Sequence, residues 1–163
     1  MPQPMSKPNE RHGTDRRPAP GRIGVDTALF IYFIEAAPPW AAIIRPLFRA
    51  ADVGPLELGT SALTLLEVLV VPYRANNLAL AARYEALLTR SRGVRLIDIT
   101  PSQFREAARL RAQTGHRTPD ALQLNAARAA NCTAFITNDR RLPTIAGLPI
   151  MQLADYARSG STP

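Results

Sequence analysis

The sequence contains one cysteine, Cys132, and two histidines, His12 and His116. A lone thiol excludes an internal disulfide, and so few soft donors argue against a structural zinc site. Cys132 is expected as a small buried apolar residue. Lysine is nearly missing as well: Lys7 is the only one, so the formal net charge of +7 rests on arginine. Long hydrophobic runs are absent too. Glu35, Pro38 and Pro39 break one apolar stretch and Glu67 breaks another, which leaves no segment with the ~20 apolar residues of a membrane helix. These absences point to a reducing, cytoplasmic setting and no membrane span.

What remains is the composition of one globular domain: 163 residues, 46% hydrophobic and 20% charged. Residues 1–21 read as a flexible, basic, proline-rich tail without an apolar signal core. Residues 22–158 are expected to fold, and 159–163 to form a short C-terminal tail. The positive balance favours a phosphate-bearing partner over a neutral one.

Within the folded part, strands and helices alternate. Ile23 to Val25 has the length of a buried strand, and Asp26 and Thr27 start a helix through Leu29, Phe30, Phe33 and Ile34. A second helix is predicted from Trp40 to Ala51, then a strand at Leu56 to Leu58. Trp40, Leu47 and Phe48 either pack these first two helices together or face a partner. Ser61 opens an apolar helix closed near Pro72, and Asn76 or Asn77 caps the next, which runs to Gly93. A strand at Val94 to Ile99 precedes a helix that starts at Thr100-Pro101 and reaches Gln113. The last elements are a helix from Asp120 to Ala130, a strand from Ala134 to Thr137, a helical turn after Asp139, and a strand at Leu148 to Leu153. This alternation implies a three-layer α/β/α fold around a central, mainly parallel sheet.

Four carboxylates stand out. Asp26 and Asp139 each follow a predicted strand, at the rim where parallel sheets bind ligands, and each also suits a helix cap. Asp120 lies in a first helical turn, a place favoured by the helix dipole whether or not it has a ligand. Glu67 sits in Leu63-Thr64-Leu65-Leu66-Glu67-Val68-Leu69-Val70, an apolar helix in which an ionised carboxylate must meet a cation, take up a proton or find water. Arg74 or Arg45 is one such cation, and a metal ion is the other. Mg²⁺ takes oxygen ligands and keeps waters, so a few carboxylates converging from separate elements make a site suited to phosphodiester chemistry.

The ordered set Val25-Asp26-Thr27, Ser61 to Leu69, Thr118-Pro119-Asp120-Ala121-Leu122 and Phe135-Ile136-Thr137-Asn138-Asp139 resembles the PIN-domain family, in particular its VapC toxin type. The resemblance covers nearly all of Ile23 to Leu153. It implies a Mg²⁺-dependent endoribonuclease, with Mn²⁺ able to substitute, that is the toxin of a type II toxin–antitoxin pair. It also implies a cognate antitoxin protein and commonly a homodimer. Asp26, Asp120 and Asp139 would then be metal-near catalytic carboxylates, with Glu67 binding directly or through water. Thr137, in the same Thr-Asn-Asp motif, would serve the RNA substrate by orienting a water or Asp139. Apart from the resemblance, Arg117, like Arg74, reads either as a contact to substrate phosphate or a partner or as an ordinary solvated arginine. The alternative is a catalytically silent PIN-like RNA-binding or regulatory module, although a surface built only to bind phosphate gains nothing from four clustered negative charges. A small-molecule phosphatase fits less well, because no D-x-D pair follows the first strand. His116 is expected as an exposed loop histidine rather than a proton shuttle, and Asp98 as a strand-end residue outside the site.

Overall fold

Five strands form one sheet in the order β3-β2-β1-β4-β5, and every pairing is parallel. The strands are β1 (Gly21–Val25), β2 (Leu56–Ser61), β3 (Val94–Ile97), β4 (Phe135–Thr137) and β5 (Ile150–Gln152). The computed structural model describes residues 21–142 and 144–159. The expected N-terminal tail lies outside them except for Gly21, which opens β1 one residue before the expected domain boundary. Residues 160–163 of the expected C-terminal tail also lie outside.

Helices cover both faces, as parallel strands without a polar face require. On one side α1 (Thr27–Ile34), α2 (Trp40–Val53), α3 (Leu63–Arg74) and α4 (Leu78–Arg90) share a core around Leu29, Phe30, Ile44, Leu58 and Tyr84. On the other, α5 (Pro101–Thr114) and α6 (Thr118–Ala129) pack Leu110, Leu122, Leu124 and Phe135 together. Phe48 of α2 stacks on Phe33 at 4.0 Å and meets Phe30 edge-on at 5.6 Å, and Trp40 stacks on Tyr32 at 5.9 Å. Trp40 and Phe48 therefore hold the first two helices together. Among the described residues no helix is long and apolar enough to cross a membrane.

Caps agree with the sequence at two starts: Asn77 accepts from Leu80 N at 3.0 Å, and Thr100 from Gln103 N at 3.3 Å. Several elements differ: Ser61, expected to open a helix, is the last residue of β2, and β3 ends at Ile97 rather than Ile99. Pro72 lies inside α3 rather than closing it; near a C-terminus its missing N–H forfeits one bond, and the helix runs on to Arg74. The segment after Asp139 is a turn, not a helix. The last strand is shorter than expected, and from Leu153 the chain forms a further helix, α7 (Leu153–Ser159), whose Leu153 is buried in the first core. Ser159, placed in the tail on sequence grounds, is thus the last residue of a helix.

Gly24 lets α6 approach β1. A Cβ there would lie 2.6 Å from Phe135 Cδ2 and 2.8 Å from Ala127 Cβ, inside van der Waals contact. This close approach sets α6 beside the ends of β1 and β4, and with it Asp120 and Gln123.

Candidate active site

The chain leaves β1 toward β2 and β3 on one side and returns to β4 and β5 on the other, so the topological switch point lies between β1 and β4. Val25 pairs with Ile136 in register. Asp26 and Thr137 therefore stand side by side at the strand ends, and Asp26 N bonds Ile136 O at 3.0 Å.

Asp26 occupies the N-cap position of α1 but makes no side-chain capping bond to the second or third helical amide, so helix capping does not account for this residue. Its Oδ2 instead accepts from the Thr137 hydroxyl at 2.7 Å. Burial raises the Asp26 pKa above the ordinary carboxylate value; the Thr137 bond opposes this, and the negative charges of Asp120 and Asp139 add to it. The three aspartates thus share one electrostatic neighbourhood. Thr137 is fully buried and has given its only hydroxyl proton to Asp26, while its oxygen accepts from Asp139 N at 3.0 Å. The bond to Asp139 N is the orienting contact expected from the sequence, and burial keeps the side chain itself out of the cleft lining.

Asp139 and Asp120 line an open cleft of about 320 Å³ together with Arg117, Arg141 and His116. Asp139 starts its turn as an Asx residue, accepting from Arg141 N at 2.9 Å, and the Arg141 guanidinium holds both of its oxygens at 2.9 Å. These bonds keep the Asp139 pKa below the usual carboxylate value. Asp120 accepts from Arg117 Nε at 3.4 Å.

Glu67 differs from its expected setting. The helix α3 is not buried all round, since Leu66, Val70 and Tyr73 are exposed, and Glu67 itself is half-exposed. Neither Arg45 nor Arg74 pairs with it, and no other arginine does so among the described residues. Its Oε2 accepts from the Thr27 hydroxyl at 2.5 Å. Behind Thr27 lies a buried network that sequence reasoning missed. Gln123 Nε2 donates to Thr27 at 3.0 Å and to Thr64 at 2.7 Å, Thr64 meets Thr60 at 2.7 Å, and Ser61 N donates to Gln123 Oε1 at 3.3 Å. Since the Thr27 proton goes to Glu67, Thr27 accepts from Gln123, which ties α6 to the acid of α3.

His116 is buried, 5% exposed, and not the exposed loop residue expected. Its Nδ1 bonds Thr114 Oγ1, whose own proton goes to Leu110 O at 2.6 Å, and its Nε2 has no partner among the described residues. The signal was Gly115, at φ +72°: a left-handed C-cap folds the next residue back onto the last helical turn. Cys132 is buried as expected, and burial pushes its thiol up to about 11. Asp98 is exposed at the end of β3 and outside this cleft.

Asp120 and Asp139 thus line the cleft, Asp26 feels the charge of both, and Glu67 joins only through the hydroxyl of Thr27, the residue after Asp26. Among the described residues no three Asp, Glu, His or Cys groups close on a single point as a ready cage, and Asp139 and Asp120 each face an arginine. The donor set is nonetheless all oxygen, which suits a hard cation that retains waters.

The PIN domain family profile matches residues 23–148, most of the chain, and this protein belongs to that family. Its fold is similar to solved VapC-type structures. The VapBC2 complex of Rickettsia felis bound to a promoter DNA fragment aligns over 80% of this chain and 98% of that chain, with TM-score 0.59 and 17% identity. VapC20 of Mycobacterium tuberculosis, described as a sarcin-ricin loop cleaving toxin, aligns over 85% and 95%, with TM-score 0.58 and 17% identity. A toxin–antitoxin complex from Klebsiella pneumoniae aligns over 80% and 97%, with TM-score 0.58 and 19% identity. No curated protein matches the sequence.

Proposed function

We propose that this protein is a metal-dependent endoribonuclease and the toxin of a toxin–antitoxin pair, restrained by a cognate antitoxin and assembled as a homodimer. The observation that carries this reading is Asp26: a carboxylate at the switch point, with no capping duty, raised by burial and by the charges of Asp120 and Asp139. Asp139 and Asp120 have guanidinium partners, whereas Asp26 has the Thr137 hydroxyl and no cationic partner among the described residues, and burying an ionised carboxylate without a cation is costly. Structural neighbours described as a sarcin-ricin loop cleaving toxin and as a toxin–antitoxin complex support the same reading.

Asp26, Asp120 and Asp139 would hold Mg²⁺ or Mn²⁺, with Glu67 joining directly or through water. When bound, such an ion polarises a phosphoryl oxygen, eases deprotonation of a water and offsets charge on the leaving oxygen. The chain's own residues prepare for it. Thr137 fixes the direction of Asp26, and Thr27, itself fixed by Gln123, fixes that of Glu67. Arg117, exposed at the cleft mouth, supplies a guanidinium for phosphate.

Incubation of the purified protein with total RNA, with Mg²⁺ and with excess chelator, tests this. Discrete cleavage that needs metal and vanishes in Asp26→Asn is expected. Binding of RNA without cleavage by a folded, metal-loaded protein would instead favour a silent RNA-binding module.

A further inference from the structure

The cleft sets two of its own arginines against two of its carboxylates. Arg141 grips Asp139 as a fork, Nε to Oδ1 and Nη2 to Oδ2, both at 2.9 Å. Arg117 reaches Asp120 at 3.4 Å. The four charges interleave, since Arg117 also acts on Asp139 and Asp120 on Arg141. Yet the Arg141 side chain is 79% exposed, so its guanidinium can swing without disturbing the core. Exposed pairs of this kind contribute little to stability, which leaves the fork without a strong structural purpose.

One carboxylate cannot give the same lone pairs both to a bidentate guanidinium and to a hard cation. A guanidinium displaced from Asp139 is left hydrated and unpaired at the edge of the cleft it lines, and its planar fork matches phosphate as well as it matches carboxylate. We propose that Arg141 is a substrate-phosphate ligand held in reserve by Asp139, released when a divalent cation takes that carboxylate. This rests on the nuclease reading above and adds to it a coupling between the two ligands. By linkage, cation and nucleic acid each strengthen the binding of the other.

The test separates Arg141 from a merely structural arginine by two readouts of opposite sign. Mn²⁺ affinity is measured calorimetrically on the full chain, and phosphate-backbone affinity by fluorescence anisotropy of a short, mixed-sequence single-stranded DNA whose intactness is checked on a gel. In Arg141→Gln, Mn²⁺ should bind about fivefold more tightly and the oligonucleotide at saturating Mn²⁺ about fivefold more weakly. Arg141→Lys, which keeps the charge without the fork, should fall between on both and carries the test if the glutamine variant melts early. Unchanged Mn²⁺ affinity or undiminished oligonucleotide binding overturns the inference and leaves the nuclease reading standing. Absence of Mn²⁺ binding by the unmodified protein overturns the metal reading and this inference together.

Discussion

The Thr137 hydroxyl donates to Asp26 Oδ2 at 2.7 Å and accepts from Asp139 N at 3.0 Å, so a single side chain from β4 sets two acids on neighbouring strand ends. Thr137→Val keeps the shape and deletes both bonds. A half-buried carboxylate then lacks its donor, at a cost of about 1–3 kcal/mol. Chemical denaturation should show that loss, together with reduced cleavage, while Thr137→Ser retains most of both. Equal stability of the valine variant and the parent would remove the positioning role.

Asp26 also sets a pH dependence. Its folded-state pKa is raised above 3.8, so the folded protein holds this proton where the unfolded chain has released it. The contribution of Asp26 to stability therefore falls as pH rises from the unfolded value toward the folded one, and stays low above it. Melting in chelator from acid to neutral pH should show a shallower fall for Asp26→Asn, with the variant at least as stable as the parent at neutrality and inactive. A steeper fall in the variant would contradict the burial account.

A cation that binds only the folded state stabilises it by RT ln(1 + [L]/Kd), about 2.7 kcal/mol at a hundredfold excess over Kd. Mg²⁺ should raise the melting temperature of the parent and raise that of Asp120→Asn less, at fixed ionic strength. Equal shifts in both proteins would remove Asp120 from the cation site.

Gln123 serves α6, α1 and β2 at once. Gln123→Leu leaves the buried Ser61 amide without its side-chain acceptor. It also loosens Thr27 against Glu67, since on that side Thr27 keeps only its bond to Thr64 at 2.9 Å. About 2–3 kcal/mol of stability should be lost, as for a broken buried network, and metal affinity should weaken through Glu67 although Gln123 touches no ligand. Calorimetric Mn²⁺ titration at a temperature where the variant is folded reads the second effect. Metal binding unaltered by the substitution would confine Gln123 to a structural role.

Much of this was legible along the chain. The short apolar run before Asp26 and the run before Thr137 and Asp139 marked strands whose ends carry acids, and alternation with helices implied a parallel sheet, which places those ends on one rim. Local signals also located caps such as Asn77 and Thr100. The bond between Gln123 and Thr27 spans 96 positions and uses residue types common in helices, so no local pattern reveals it. Glu67 was misjudged for a related reason: apolar neighbours imply burial only if something covers them, and Leu66, Val70 and Tyr73 stay exposed. The Arg141 fork depends on the turn at Asp139, which two adjacent arginines in sequence do not disclose.

Asp26 and Thr137 stand 111 positions apart. During synthesis β1 is made early, but its partner at the switch point is among the last strands to be made. A growing chain that has already formed β1, β2 and the helices over them still lacks Asp139, the Thr137 bond and one wall of the cleft. The two strand ends that carry Asp26 and Asp139 therefore meet only once the chain extends past β4, and any shorter segment lacks the cleft altogether.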